Sequence, residues 1–270
     1  MLLGHSVVYS IIFIGSYTLS YLDIWPFFNL FLLGWSLLGL TSVGHELYHV
    51  RDPSSLGFFF LDLWSVRKEN WIKKHNKWHH QNVWDEGEDE HQTDGNPIEN
   101  LWHTAKVLIR TYSVLEFTWQ NILLILFRIW FFAQISWYAI FVVYFVNTIC
   151  VTYLTFIAHA APVIQEQKDD FVMRQMQRSV DIFPDSQLFL FLTGAFNMHT
   201  AHHLCPSVTR DGLQQIHQKM KAKYPDDYRV INTWRQLWNL FLYRAVIFPD
   251  MKSWRQCISG NYPPCLITEI

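Results

Sequence analysis

The chain has 270 residues, half of them apolar and 17% aromatic, enough to bury one sizeable core. Its formal net charge of −2 provides no basic field for nucleic acid. Mean hydropathy is only +0.06, yet no Lys or Arg precedes Arg51 and only Arg128 lies between Tyr112 and Ala160. A soluble domain carries charges along the outer face of every helix. Two long tracts without them argue for lipid contact rather than for buried core helices.

In chain order, residues 7–22 and 27–43 are apolar runs separated by a short turn at Asp23–Pro26. They read as an antiparallel pair of spans of about 17 residues each, near the lower limit for crossing a bilayer. Trp25 suits an interfacial place and Trp35 a packing one. Residues 44–119 form a polar region with Arg67, Lys68, Lys73, Lys74 and Lys77, the acidic run 85–90 and a turn at Asp94–Pro97. The second apolar tract divides into spans at 120–135 and 137–158. Residues 160–270 are polar and amphipathic, except for an apolar stretch at 186–195 too short to cross. The expected fold is an all-α integral membrane protein, a single domain over 1–270. Four transmembrane helices carry a cytosolic helical cap, and positive charge places both polar regions on the cytoplasmic side. Met1–His5 has no basic n-region, so no cleaved signal peptide is expected. Four scattered cysteines (Cys150, Cys205, Cys257, Cys265) suit a reducing compartment.

Three histidine clusters fall within those polar regions: His45/His49, His75/His79/His80 and His199/His202/His203. On an α-helix, positions i and i+4 share a face, so His45 with His49, and His75 with His79, can converge on one metal. His80 diverges from His79 by about 100°, which a site with two metals can use. His199 and His202 stand at i and i+3. Eight imidazoles exceed the shell of a single ion, and ionisable groups beside lipid are costly without a function. Imidazole suits Fe, Zn, Cu or Ni, so ligand type alone does not name the metal.

The boxes His45-Glu46-Leu47-Tyr48-His49, His75-Asn76-Lys77-Trp78-His79-His80 and His199-Thr200-Ala201-His202-His203 resemble those of the membrane fatty acid desaturases. So do the stretch Thr152–Ala160, the segment Gln177–Asp181, and His202–Pro206 with the helix over 213–216. The likeness runs from about residue 40 to 220. It implies a non-haem di-iron centre, O2 as co-substrate, and removal of two hydrogens from adjacent acyl methylenes to leave C=C in fatty acid biosynthesis. It adds His159 to a ligand set of His45, His49, His75, His79, His80, His199, His202 and His203. It also implies an acyl-lipid, acyl-CoA or acyl-carrier substrate. No H-P-G-G stretch of a fused cytochrome b5 occurs, so electrons are expected from a separate donor such as ferredoxin or cytochrome b5. The membrane, bacterial inner or endoplasmic reticulum, stays open.

Glu46, Asn76 or Asp181 could orient imidazoles from behind, although helix polarity and capping explain them as well. Thr155 sits one turn before His159, where either core packing or the metals could use it. The basic group at 67–77 suits either an anionic partner or a solvated face near anionic lipid. His5, His91, His103 and His217 receive no chemistry. Three other classes share parts of the pattern. A metalloprotease would use His45 and His49, Glu46 as base and Asp94 as third ligand. A sister di-iron oxygenase, a carotenoid ketolase or fatty acyl hydroxylase, shares three boxes. A metal transporter would want its ligands within the spans.

Overall fold

The computed structural model describes residues 2–50, 56–65, 67–81, 83, 118–159 and 170–238. The acidic run, Asp94, His91, His103, Arg51, Lys106, Arg110, Cys257 and Cys265 lie outside them, as do the side chains of Lys74 and Thr155.

The chain is mostly helical. Helix α1 (Leu2–Tyr21) turns back into α2 (Pro26–His49) through Asp23 and Trp25, both at positive φ. Pro26 starts α2 where its missing N–H costs nothing, and Asn29 Nδ2 donates to Ile24 O at 2.6 Å to hold the corner. Gly39 lets the pair close: a Cβ there would lie 2.3 Å from the Tyr9 ring. A short helical segment over 56–65, π-helical at Phe58–Asp62, packs under the end of α2, where a Cβ on Gly44 would meet Leu61 at 2.6 Å. Helix α3 (Lys68–Trp71) continues without a break into a second π-helical segment, Ile72–His79. Helices α4 (Trp119–Ala133) and α5 (Ala139–Ala158) complete the bundle. Tyr9, Phe13, Leu33, Leu37, Phe132 and Val143 form its core.

The remainder folds over the end where α2 and α5 both stop. It comprises α6 (Phe171–Arg178), β1 (Asp181–Ile182), α7 (Gln187–Leu192), α8 (His199–Leu204), α9 (Arg210–Lys223) and β2 (Val230–Ile231). The fold is therefore not purely helical, since β1 and β2 pair in parallel, Asp181 opposite Val230. The apolar stretch at 186–195 packs on the bundle. Trp35 Nε1 donates to Leu192 O at 2.8 Å, and Tyr9 stacks on Phe191. Trp25 is exposed.

Among the described residues, one helix, α2, is long and apolar enough to cross a membrane, with mean hydropathy 1.5; the apolar stretches Trp119–Ala133 and Ala139–Val151 are shorter. The other bundle helices still present large apolar side chains outward, such as Ile11 and Ile14 at 64% exposure and Phe141 at 69%. Arg128, the lone cation of the second tract, is buried. Its guanidinium donates to the carbonyls of Asp62 (2.6 Å), Leu63 (2.8 Å) and Ser65 (2.8 Å), and Tyr144 OH donates to Trp64 O (2.6 Å), so that together they close this helix end. Arg128→Leu strands three buried acceptors and should cost on the order of 2–4 kcal/mol, read as a lowered thermal unfolding midpoint.

Candidate metal centre

Each histidine box rides on a different element, and each element is fixed by a buried polar contact. Box one occupies the last turn of α2. Glu46 does not face the imidazoles. Its Oε1 accepts from Arg210 Nε (2.7 Å) and Nη2 (2.6 Å), and its Oε2 from the Arg210 backbone N–H (3.3 Å). Arg210, fully buried, also donates to His5 Nδ1 at 3.1 Å. The pair ties α2 to the first residue of α9. Glu46 orients no imidazole; it pairs with a buried guanidinium and accepts the first N–H of α9, and a carboxylate so engaged is not a free general base.

Box two lies on the second π-helical segment. Asn76 does not touch an imidazole either: its Nδ2 donates to Tyr48 O at 2.9 Å, joining box two to the end of α2. Trp71 stacks on His75 with ring centres 4.2 Å apart. Box three is α8, and Asp181 Oδ1 accepts from the free N–H groups of Thr200 (2.7 Å) and Ala201 (3.3 Å) at its start. Asp181 is wholly buried, and that burial raises its carboxyl to about 7 against the hydrogen bonds that oppose it. Tyr228 OH donates to the other Asp181 oxygen and contacts His217 Nδ1 at 2.9 Å. His159 follows α5 directly. Its Nδ1 lies 3.2 Å from Arg178 O, an oxygen that can only accept, so Nδ1 carries the proton and Nε2 offers its lone pair.

All nine histidines of the expected ligand set come together in two groups, within each of which the ligand atoms lie within 4.8 Å of one another. Group one is His45, His49, His75, His80 and His202; group two is His79, His159, His199 and His203. The pairings differ from those expected of α-helical spacing. His75 and His79 fall in different groups, because the π turn brings His80 back beside His75 (His80 N–H to His75 O, 3.1 Å). His199 joins His203, at i+4, and not His202.

The donor set fits cations. In group one, Nε2 atoms approach at 3.0 Å (His49–His45), 2.9 Å (His45–His75) and 3.1 Å (His75–His80). In group two the approaches are 3.1 Å (His79–His159), 2.6 Å (His159–His199) and 3.2 Å (His199–His203). One imidazole nitrogen has either one hydrogen or one lone pair, so it cannot serve two such neighbours by hydrogen bonding. Neighbouring nitrogens of an octahedral shell with bonds of about 2.1 Å stand ~3.0 Å apart, close to most of these separations. His202 Nε2 is buried and finds no hydrogen-bond partner among the described residues. Burial, and then the neighbouring imidazoles, push His75, His80, His199, His202 and His203 well below the ordinary histidine range, which keeps them neutral and able to ligate.

The family model for fatty acid desaturase matches residues 112–235. The likeness is to the fatty acid desaturase family. It spans His159 and box three, whereas boxes one and two lie outside the matched segment and meet it only in three dimensions. No curated protein and no solved structure matches the chain. The desaturase match implies an oxidoreductase, and the histidine groups are compatible with iron.

Sequence reasoning missed Arg210, Tyr228, Arg174, Gln175 and Arg178. The signal for Arg210 was an acid, Glu46, in an apolar setting that required a buried cation. Among the basic group, Arg67 pairs with Glu69 at 2.9 Å, and Lys73 and Lys77 are exposed.

Arg210→Met leaves Glu46 buried and unpaired and should cost about 3–5 kcal/mol, most of which Glu46→Gln in the same chain should restore; thermal melts of the single and double variants read the difference. For metal-free protein, lowered imidazole pKa values mean that the folded state binds fewer protons than the unfolded chain below about pH 6.5. Stability should therefore fall as pH drops from 6.5, since the few buried carboxyls that act oppositely, such as Asp181, are outnumbered. Melting midpoints between pH 7 and 5.5 test this.

Proposed function

We propose that the protein is a membrane acyl desaturase of the di-iron type, with the nine histidines of the two groups as its metal ligands. The carrying observation is that paired convergence of Nε2 atoms, five imidazoles beside four, at spacings that suit cations. The desaturase match over residues 112–235 supports this reaction class. A methylene pair with no activating group needs a strong oxidant, and two bound iron ions would supply that chemistry with O2. In balance, two hydrogens leave the acyl chain, two electrons come one at a time from the donor and two protons from solvent, and O2 becomes two waters.

The chain's own residues bind and shield. Eight box imidazoles and His159 hold the ions from α2, the second π-helical segment, α5 and α8. All four histidines of group two are buried, and Phe196 and Trp71 cover His45 and His75, which keeps water from the reacting centre. His159 keeps its Nε2 directed by donating from Nδ1 to Arg178 O.

The substrate is an acyl chain on lipid, coenzyme A or carrier protein, and the electrons come from a separate ferredoxin or cytochrome b5. The protein spans its membrane several times, with the boxes on the cytoplasmic side. The outward apolar side chains of α1, α2, α4 and α5 support that placement, as does the position of the site at the shared end of α2 and α5.

Purified protein should contain about two irons per chain. A host expressing wild type should gain a new double bond in its acyl lipids, and a host expressing His202→Ala should not. A hydroxylated or ketolated product instead would assign the chain to the sister oxygenases.

A further inference from the structure

Box two ends in carbonyls that its own helix cannot satisfy. The π-helical segment stops at His79, and the next turn leaves the oxygens of His80, Gln81 and Val83 facing α6. Three side chains of that one helix donate to them: Gln175 Nε2 to His80 O at 2.9 Å, Arg174 Nη2 to Gln81 O at 3.0 Å, and Arg178 Nη1 to Val83 O. Gln175 and Arg178 are almost wholly buried. Burying a guanidinium and an amide is costly, and a well-packed apolar residue would serve the core better. Their placement follows the box-two carbonyls instead. The same helix also reaches the ligand after α5: Arg178 O faces His159 Nδ1, and Val180 N–H donates to Ala158 O at 2.8 Å.

The register of box two decides where its imidazoles go. In an α-helix, residue 80 would point about 140° away from residue 75 and could not stand beside it. The π turn brings the two Nε2 atoms to 3.1 Å, and so divides His79 from His80 between the two groups. π-Helical turns are rare and depend on their surroundings to persist.

We propose that α6 is a positioning element that holds Ile72–His79 in its π register through Arg174, Gln175 and Arg178, and thereby makes two metal sites where an α-helical box would make one. This rests on the two-metal reading above. It assigns α6 no contact with substrate or metal; its effect passes through box two and His159.

The test is a metal titration of full-length purified protein with Fe(II), and with Co(II) for its visible absorption. Wild type should take up two ions per chain. Gln175→Leu and Arg178→Met should keep one ion at near wild-type affinity and bind the other about 10–100-fold more weakly. Arg178→Lys, which keeps a donor for Val83 O, should recover much of that loss. Arg174→Met, at a half-buried position, reads the same effect where a buried variant fails to fold. Two ions bound by the folded variants as tightly as by wild type would overturn the proposal while leaving the metal centre intact. Equal weakening of both ions would overturn it too, as the mark of a general structural loss. Wild type that binds no metal would remove the metal reading itself, and the proposal with it.

Discussion

Nine imidazoles brought to one place can act as ligands only if each offers a lone pair and each is aimed. For His75, His80, His199, His202 and His203 burial favours the neutral form, because the charged form loses its water and meets neighbouring imidazoles. Aim is harder, since an imidazole ring turns freely about its side-chain bonds. The rest of the molecule works against that freedom. Helix ends, a π turn and side chains far from the site each remove one degree of rotation or translation from a ligand-bearing element.

The devices are buried polar contacts that join segments distant in sequence. Arg128 on α4 closes the helical segment that supports the end of α2. Glu46 and Arg210, 164 residues apart, lock box one to the start of α9. Asp181 holds the first N–H groups of α8, with Tyr228 behind it. Each such group costs desolvation and returns geometry. None of them is an imidazole ligand, so their common product is the relative placement of four otherwise separate elements.

Much of this was legible in the sequence, and the missing parts share a cause. The apolar tracts gave four bundle helices in the right places, and histidine spacing gave eight of the nine clustered imidazoles. His159 came from family likeness, because a single histidine at a helix end has no periodicity to read. The partition was misread where ideal α geometry was assumed: a π turn has no sequence signature in Ile72–His79, and it sends His75 to His80. In the sequence, Glu46 and Asp181 read as supports for imidazoles or as helix caps. Their partners, Arg210 and Thr200 with Ala201, are set by tertiary packing that spacing does not encode.

Helix α8 sets the order in which the two groups can form. His202 and His203 are neighbours on α8, yet one belongs to each group. Neither group is complete until that short helix docks, and the same docking completes both. A growing chain that has already placed boxes one and two still holds two partial ligand sets, open to the wrong ion or to none. Loading of both positions is thus tied to the arrival of a single late turn of helix. On the proposed di-iron reading, the two metal sites would be coupled through chain assembly before any chemistry begins.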